Sequence, residues 1–219
     1  MVVSFGLPMV FRNAIYNVAA LVADGSILGF AAKQNLAGDG IHYEPRWYRA
    51  WPPNVTRTAG INGGTFPIGE LLFEVGGVRI GFEICEDAWV ADRPGARLAS
   101  RGVDIVMNPS ASHFAFDKHT IRERFVIEGS RAFHSTYLYS NLLGNEAGRA
   151  IYDGDAMVAS AGKVLARGTR FSFNEFELTS AVVDVDLTRM KQSRSASYEP
   201  DFSSEASAAL VEAPFDWPG

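Results

Sequence analysis

Val78-Arg79-Ile80-Gly81-Phe82-Glu83-Ile84-Cys85-Glu86-Asp87-Ala88-Trp89 is an apolar run that delivers a single thiol and then two carboxylates. The run follows Gly76-Gly77, so it reads as the second strand of a hairpin begun by Leu71 to Val75, with the strand carrying the thiol. Cys85 is the only cysteine in the chain. A thiol at a strand end beside acidic residues is where a nucleophile would be displayed. An inert buried thiol is the commoner state of a free cysteine and stands as the alternative.

The totals around this stretch describe an ordinary folded chain. At 219 residues, one large domain is expected to bury roughly 70% of its extended surface. The hydrophobic fraction is 47% and the charged fraction 21%, both within the globular range. Net charge is −5 and the basic residues are scattered, so neither nucleic acid nor an anionic membrane is an expected partner. One cysteine forms no internal disulfide, which points to a reducing, cytoplasmic compartment. Residues Met1 to Pro8 lack the basic start and cleavage site of a signal peptide. No apolar run approaches the roughly 20 residues of a membrane span.

Outward from the hairpin, Val2 to Phe5 reads as a strand. Tyr16 to Val22 and Ile27 to Ala32 form a hairpin turned by Asp24-Gly25. Residues 36–66, rich in Gly, Pro and aromatics, read as a long ordered loop. Beyond the thiol, Pro94 to Arg101 suggests a short helix stopped by Gly102, and Val103 to Asn108 a buried strand. Thr120-Ile121-Arg122-Glu123 resembles a capping box, opening a helix with Ile121, Phe125, Gly129 and Ala132 on one face. Thr136 to Leu143, a hairpin over residues 156–166 and Thr179 to Val185 complete the strands. The expectation is one α/β domain over residues 1–189, in which hairpins alternate with helices, followed by a linker-like tail over 190–219.

A thiolate needs a nearby cation or base. Lys33 ends the apolar strand Ile27 to Ala32, although a solvated strand-end lysine is the simpler reading of that residue alone. Glu44 lies in the aromatic loop His42-Tyr43-Glu44-Pro45-Arg46-Trp47, where a salt bridge with Arg46 is the plain alternative. His113, His119 and His134 lack ligand spacing, so no metal site is expected. The spacing does not decide whether His42 is a pocket or a surface residue. Glu86 and Asp87, adjacent on a strand, would point to opposite faces and so do not suit glycosidase chemistry.

Together, the Lys33 strand, the Glu44 loop and Cys85-Glu86-Asp87-Ala88-Trp89 resemble the nitrilase (carbon–nitrogen hydrolase) superfamily, and within it the glutaminase domains of glutamine-dependent NAD synthetases. The resemblance runs from about residue 1 to the last strand. It implies a nitrilase-like α-β-β-α sandwich, incomplete at the N-terminus. It implies that Cys85 attacks the side-chain amide of glutamine to give a thioester and ammonia, and that Lys33 stabilises the oxyanion with the backbone N–H of Glu86. By the same resemblance Glu44 positions the lysine, Glu86 pairs with the substrate ammonium, and Ser112 recognises the glutamine backbone. Asn108-Pro109-Ser110 is also a plain turn signal, and for Ser112 both readings stay open.

The implied partners are glutamine, a synthetase domain or subunit and a homo-oligomeric assembly. No cofactor is implied for this domain, since ATP and Mg would serve only the synthetase part. The resemblance also implies a general-base glutamate upstream of Lys33, and residues 1–32 contain none. The chain is therefore expected to begin after the first strand–helix units of that fold. A stand-alone amidase or nitrilase, and an inactive fragment acting as an interaction module, are the competing expectations.

Overall fold

The computed structural model describes residues 1–203 and 209–217. Strands β1 (Val2–Phe11), β2 (Ala14–Ala23), β3 (Ser26–Ala32), β4 (Thr56–Ile61) and β5 (Gly64–Gly69) form a sheet in the order β1-β2-β3-β5-β4. A seven-stranded sheet, ordered β13-β12-β9-β8-β7-β6-β14, packs on it. Its members are β6 (Leu72–Val75), β7 (Val78–Phe82), β8 (Ile105–Ser110), β9 (Thr136–Asn141), β12 (Met157–Ser160), β13 (Lys163–Arg167) and β14 (Leu210–Ala213). β10 (Leu143–Glu146) and β11 (Ala150–Asp153) make a separate hairpin. Among the described residues the α-helices are α1 (Pro94–Ser100), α2 (Lys118–Ala132) and α3 (Val185–Ser193).

Side-chain alternation makes the layers. Along β2, Ala19, Leu21 and Ala23 face the second sheet, where Phe73, Val75, Ile80 and Phe82 meet them. Val18 and Ala20 point the other way, into a cluster with Phe30, Ile68 and Trp51. Trp51 belongs to the loop over residues 33–55, which lays that ring and Val55 on part of the outer face of the five-stranded sheet. Tyr137, Tyr139 and Val106 pack the outer face of the seven-stranded sheet against Leu98 of α1 and Val126 of α2. Truncating a side chain as enclosed as Phe73 would cost about 3–5 kcal/mol.

β7, β8 and β9 are parallel. Parallel neighbours need crossover connections, which α1 and α2 provide, and both helices pack on the same face of the sheet. The remaining turns are tight. Both residues of Arg12-Asn13, Asp24-Gly25, Asn62-Gly63, Gly76-Gly77 and Ala161-Gly162 have positive φ, the conformation that matches the strand twist in two-residue hairpins.

Several expectations need correction. Residues 36–66 are not all loop: β4 and β5 pair across Asn62-Gly63, an Asn-Gly turn signal that the aromatic composition masked. The thiol is not on a strand, because β7 ends at Phe82 and Cys85 opens a 3-10 turn, Cys85–Ala88. α2 begins at Lys118 behind Asp117 without the capping box, and it buries Arg122, Val126, Gly129 and Ser130 while Ile121 is exposed. Its inward face is turned because Arg122 is ion-paired inside. Thr179 to Asp184 has no ladder partner among the described residues, and Val182 is 97% exposed. The stretch read as a linker carries the end of α3 and also β14, which pairs in parallel with β6. Trp217 Nε1 donates to the Val75 carbonyl there, at 2.9 Å. Among the described residues no helix is long and apolar enough to cross a membrane.

Candidate active site

Cys85 sits just beyond β7 with φ of 50°. A non-glycine residue in the left-handed region is strained, and such strain persists where the surroundings hold it. Here a buried anchor precedes it. Glu83 is fully buried and accepts from Arg93 Nη2 at 2.5 Å, Gly95 N at 2.8 Å and the Tyr137 hydroxyl at 2.6 Å. These bonds tie the segment before the thiol to α1 and β9.

Lys33 reaches the same place from the other sheet. It follows β3, is 1% exposed, and has both backbone groups bonded, its N–H to the Asn17 carbonyl and its carbonyl to Trp51 N–H. Its Nζ pairs with Glu44 Oε2. Glu44 heads a 3-10 turn, Glu44–Arg46. Its carboxylate also accepts from Asn17 Nδ2 at 3.1 Å and from Ala37 N at 2.7 Å. The Glu44–Arg46 pair is thus not formed, and Arg46 instead lies 5.2 Å from the Trp47 ring centroid. A lysine this enclosed would be very costly unpaired, so the pair accounts for its burial.

Lys33, Glu44 and Cys85 line one cavity of about 710 Å³, together with Asn17, His42 and Tyr152. Glu86 and Ser112 do not line it. They border a smaller adjoining cavity of about 180 Å³ that also meets Cys85, Lys118 and His113. Burial raises the Glu86 carboxyl above its usual range, with Lys33 partly opposing and Glu44 and Asp39 reinforcing. Ser112 is 2% exposed, and its carbonyl accepts from Arg122 Nη2 at 2.8 Å and from Asn141 Nδ2 at 3.0 Å. Its hydroxyl is 3.3 Å from the same guanidinium. Arg122 is itself held by Asp153 at 2.9 Å.

Several residues at the site carried no signal of their own in the sequence. Asn17 is a polar residue inside an apolar strand. His42 contacts His113 at 2.8 Å between ring nitrogens, with Lys118 Nζ 3.3 Å beyond. Burial, then the Lys118 charge, lowers the His42 pKa, and the same causes push His113 down to about 4. Lys118 Nζ lies 5.4 Å from the Trp89 ring centroid, within cation–π range. These residues are far apart in the chain, and only the loop packing joins them. Among the described residues no group of three or more His, Cys, Asp or Glu side chains could hold a metal ion.

A carbon–nitrogen hydrolase family model matches residues 1–195. A putative glutamine-dependent NAD(+) synthetase of Schizosaccharomyces pombe is 34% identical over 193 residues, covering 84% of this chain and 28% of that protein. The human glutamine-dependent NAD(+) synthetase is 30% identical over 220 residues, covering 96% and 30%. This chain therefore spans less than a third of the relatives' length. The crystal structure of a glutamine-dependent NAD(+) synthetase from Cytophaga hutchinsonii superposes with a TM-score of 0.75 at 48% identity, covering 82% of this chain and 30% of that one. A carbon–nitrogen hydrolase from Helicobacter pylori shares the fold at a TM-score of 0.72 and 19% identity, covering 88% and 65%. With a cysteine held in a strained turn, a buried lysine–glutamate pair across a shared cavity, and a family match along most of its length, the chain belongs to the carbon–nitrogen hydrolase family.

Proposed function

We propose that this chain hydrolyses the side-chain amide of glutamine, as the ammonia-supplying part of a glutamine-dependent NAD synthetase that converts nicotinate adenine dinucleotide to NAD. One observation carries the reading: the buried Lys33–Glu44 pair opens onto the same cavity as the single, strained Cys85. The relatives' names supply the substrate.

In this reading the Cys85 thiolate attacks the carboxamide carbon. The C–O double bond opens to an oxyanion that Lys33 and the Glu86 N–H stabilise, and such preorganised charge stabilisation supplies most of the rate enhancement in many acyl transfers. The carbonyl then re-forms as the C–N bond breaks, and the nitrogen takes up the proton that the thiol gave up and departs as ammonia. Water hydrolyses the thioester to glutamate and frees the thiol. Glu44 pairs with Lys33 and holds it in place. Glu86 faces the substrate's ammonium, and Ser112 its backbone.

Among the described residues the carboxylates lining the large cavity are Glu44 and Glu146. Glu44 is committed to the lysine and Glu146 is exposed on the β10 hairpin, so neither is assigned as the base for the thiol. This step uses no cofactor; ATP and Mg belong to the synthetase reaction, and a synthetase domain or subunit would receive the ammonia. A homo-oligomeric, cytoplasmic enzyme completes the proposal.

The test is release of glutamate and ammonia from glutamine, together with covalent capture of Cys85 by 6-diazo-5-oxo-norleucine. Loss of both in Cys85→Ala is expected. Hydrolysis that survives Cys85→Ala would refute the nucleophile, and turnover of other small amides without capture by the diazoketone would favour an amidase.

A further inference from the structure

The two arms of the cavity come from separate sheets, and one buried carboxylate joins them. Asp87 is 2% exposed. Its Oδ1 accepts from Gln34 N at 3.2 Å, from Asn35 N at 2.8 Å and from Asn35 Nδ2 at 3.0 Å. Its Oδ2 accepts from Ile84 N at 3.0 Å. One oxygen thus holds the two residues that follow Lys33, and the other holds the residue that precedes Cys85. The donors on the lysine side are 52 and 53 residues away in sequence.

We propose that Asp87 is a positioning residue for amide hydrolysis, clamping the end of the Lys33 strand against the Cys85 turn so that the cation and the nucleophile keep their spacing. The proposal rests on the assignment of Cys85 and Lys33 as the reacting pair. Asp87 does not line either cavity at the thiol, so it acts through its neighbours. Its carboxyl is raised to about 6, because burial outweighs the hydrogen bonds from Ile84 and Asn35. It is therefore still mainly an acceptor-only carboxylate at neutral pH, the form that satisfies four donors at once.

The clamp is not the only tie between the sheets. Gln34 Nε2 also donates to Glu70 at 2.8 Å, and Arg97 Nη2 donates to Gln34 Oε1 at 2.6 Å. These bonds hold the segment in place when the carboxylate is lost, so the consequence expected is misalignment rather than unfolding.

Asp87→Asn keeps the shape but sets an NH2 group against backbone donors. In that variant kcat for glutamine should fall about 10–100-fold with KM within about twofold, the cost of a displacement of roughly 1 Å between reacting groups. A cooperative melt should persist, iodoacetamide should still alkylate Cys85, and the Gln34, Asn35 and Ile84 amides should exchange hydrogen at least about tenfold faster. Unchanged protection of those amides would overturn the clamp. Faster exchange with kcat unaltered, or a rise in KM alone, would overturn its role in catalysis. If the unaltered chain neither hydrolyses glutamine nor takes the diazoketone at Cys85, the glutamine reading fails, and the exchange measurement still decides the clamp.

Discussion

The Cys85 turn rests on the seven-stranded sheet, whose outer face is packed by helices, whereas Lys33 follows a strand of the five-stranded sheet, whose outer face carries loop residues Trp51 and Val55 in place of a helix. The first is anchored from behind. Glu83 ties the chain before the thiol to Arg93, Gly95 and Tyr137, all away from the cavity. The second is anchored from the cavity side, by Glu44 and Asn17 at its rim. Disturbing the cysteine side should therefore cost stability, while disturbing the lysine side should cost alignment.

The largest effect is expected from the proposed nucleophile. Cys85→Ala should reduce glutamine hydrolysis by about 10⁴-fold or more while the melt stays cooperative, measured by ammonia release and calorimetry. Next comes the anchor. Glu83→Ala leaves the Arg93 guanidinium buried beside Tyr137 without its carboxylate, and should destabilise by about 3–5 kcal/mol in urea unfolding. A loss below about 1 kcal/mol, on the same scale as a surface change, would erase the difference between the two sides. Lys33→Met removes the charge and keeps the volume. It should lower kcat by roughly 10²–10³-fold with a smaller change in KM, as loss of an oxyanion donor does.

Asn17→Ala tests the rim. Losing its bond to Glu44 should cost about 1 kcal/mol of alignment, or roughly fivefold in kcat, with little change in stability.

The smallest effect concerns pH. The folded-state pKa of His113 lies near 4, below the ordinary value of 6.5. The unfolded chain then binds the extra proton, so this group's contribution rises with pH from about 4 to about 6.5 and is lost on acidification. Asp87 has the opposite sign, since its pKa is raised from 3.8 to about 6 and its contribution falls as pH rises through that window. Melting temperatures between pH 4.5 and 6.5 should accordingly climb less steeply with pH in His113→Gln and more steeply in Asp87→Asn.

What could be read from the residues alone was local. Strand hairpins with Asp-Gly or Gly-Gly turns, the helix stopped by Gly102, and the lone thiol followed by two carboxylates are patterns of neighbours, and backbone sterics make them informative over a few residues. The resemblance extended this to the lysine and Glu44. Other elements failed for equally physical reasons. The turn at Arg12-Asn13 has no glycine to announce its positive φ, and β14 is a strand because an edge of β6 accepts it. The inward face of α2 is displaced by an arginine that is apolar in no scale yet sits at 0% exposure on Asp153.

The sequence by itself determined that Cys85 stands alone after an apolar run with acids behind it. Only the tertiary structure decided that Lys33 is enclosed with Glu44, that Glu86 and Ser112 border an adjoining cavity, and that Asp87 joins the two arms. Those relations depend on residues tens of positions apart being brought within hydrogen-bond distance. What brings them there is burial of two sheets against each other, and no local pattern encodes it.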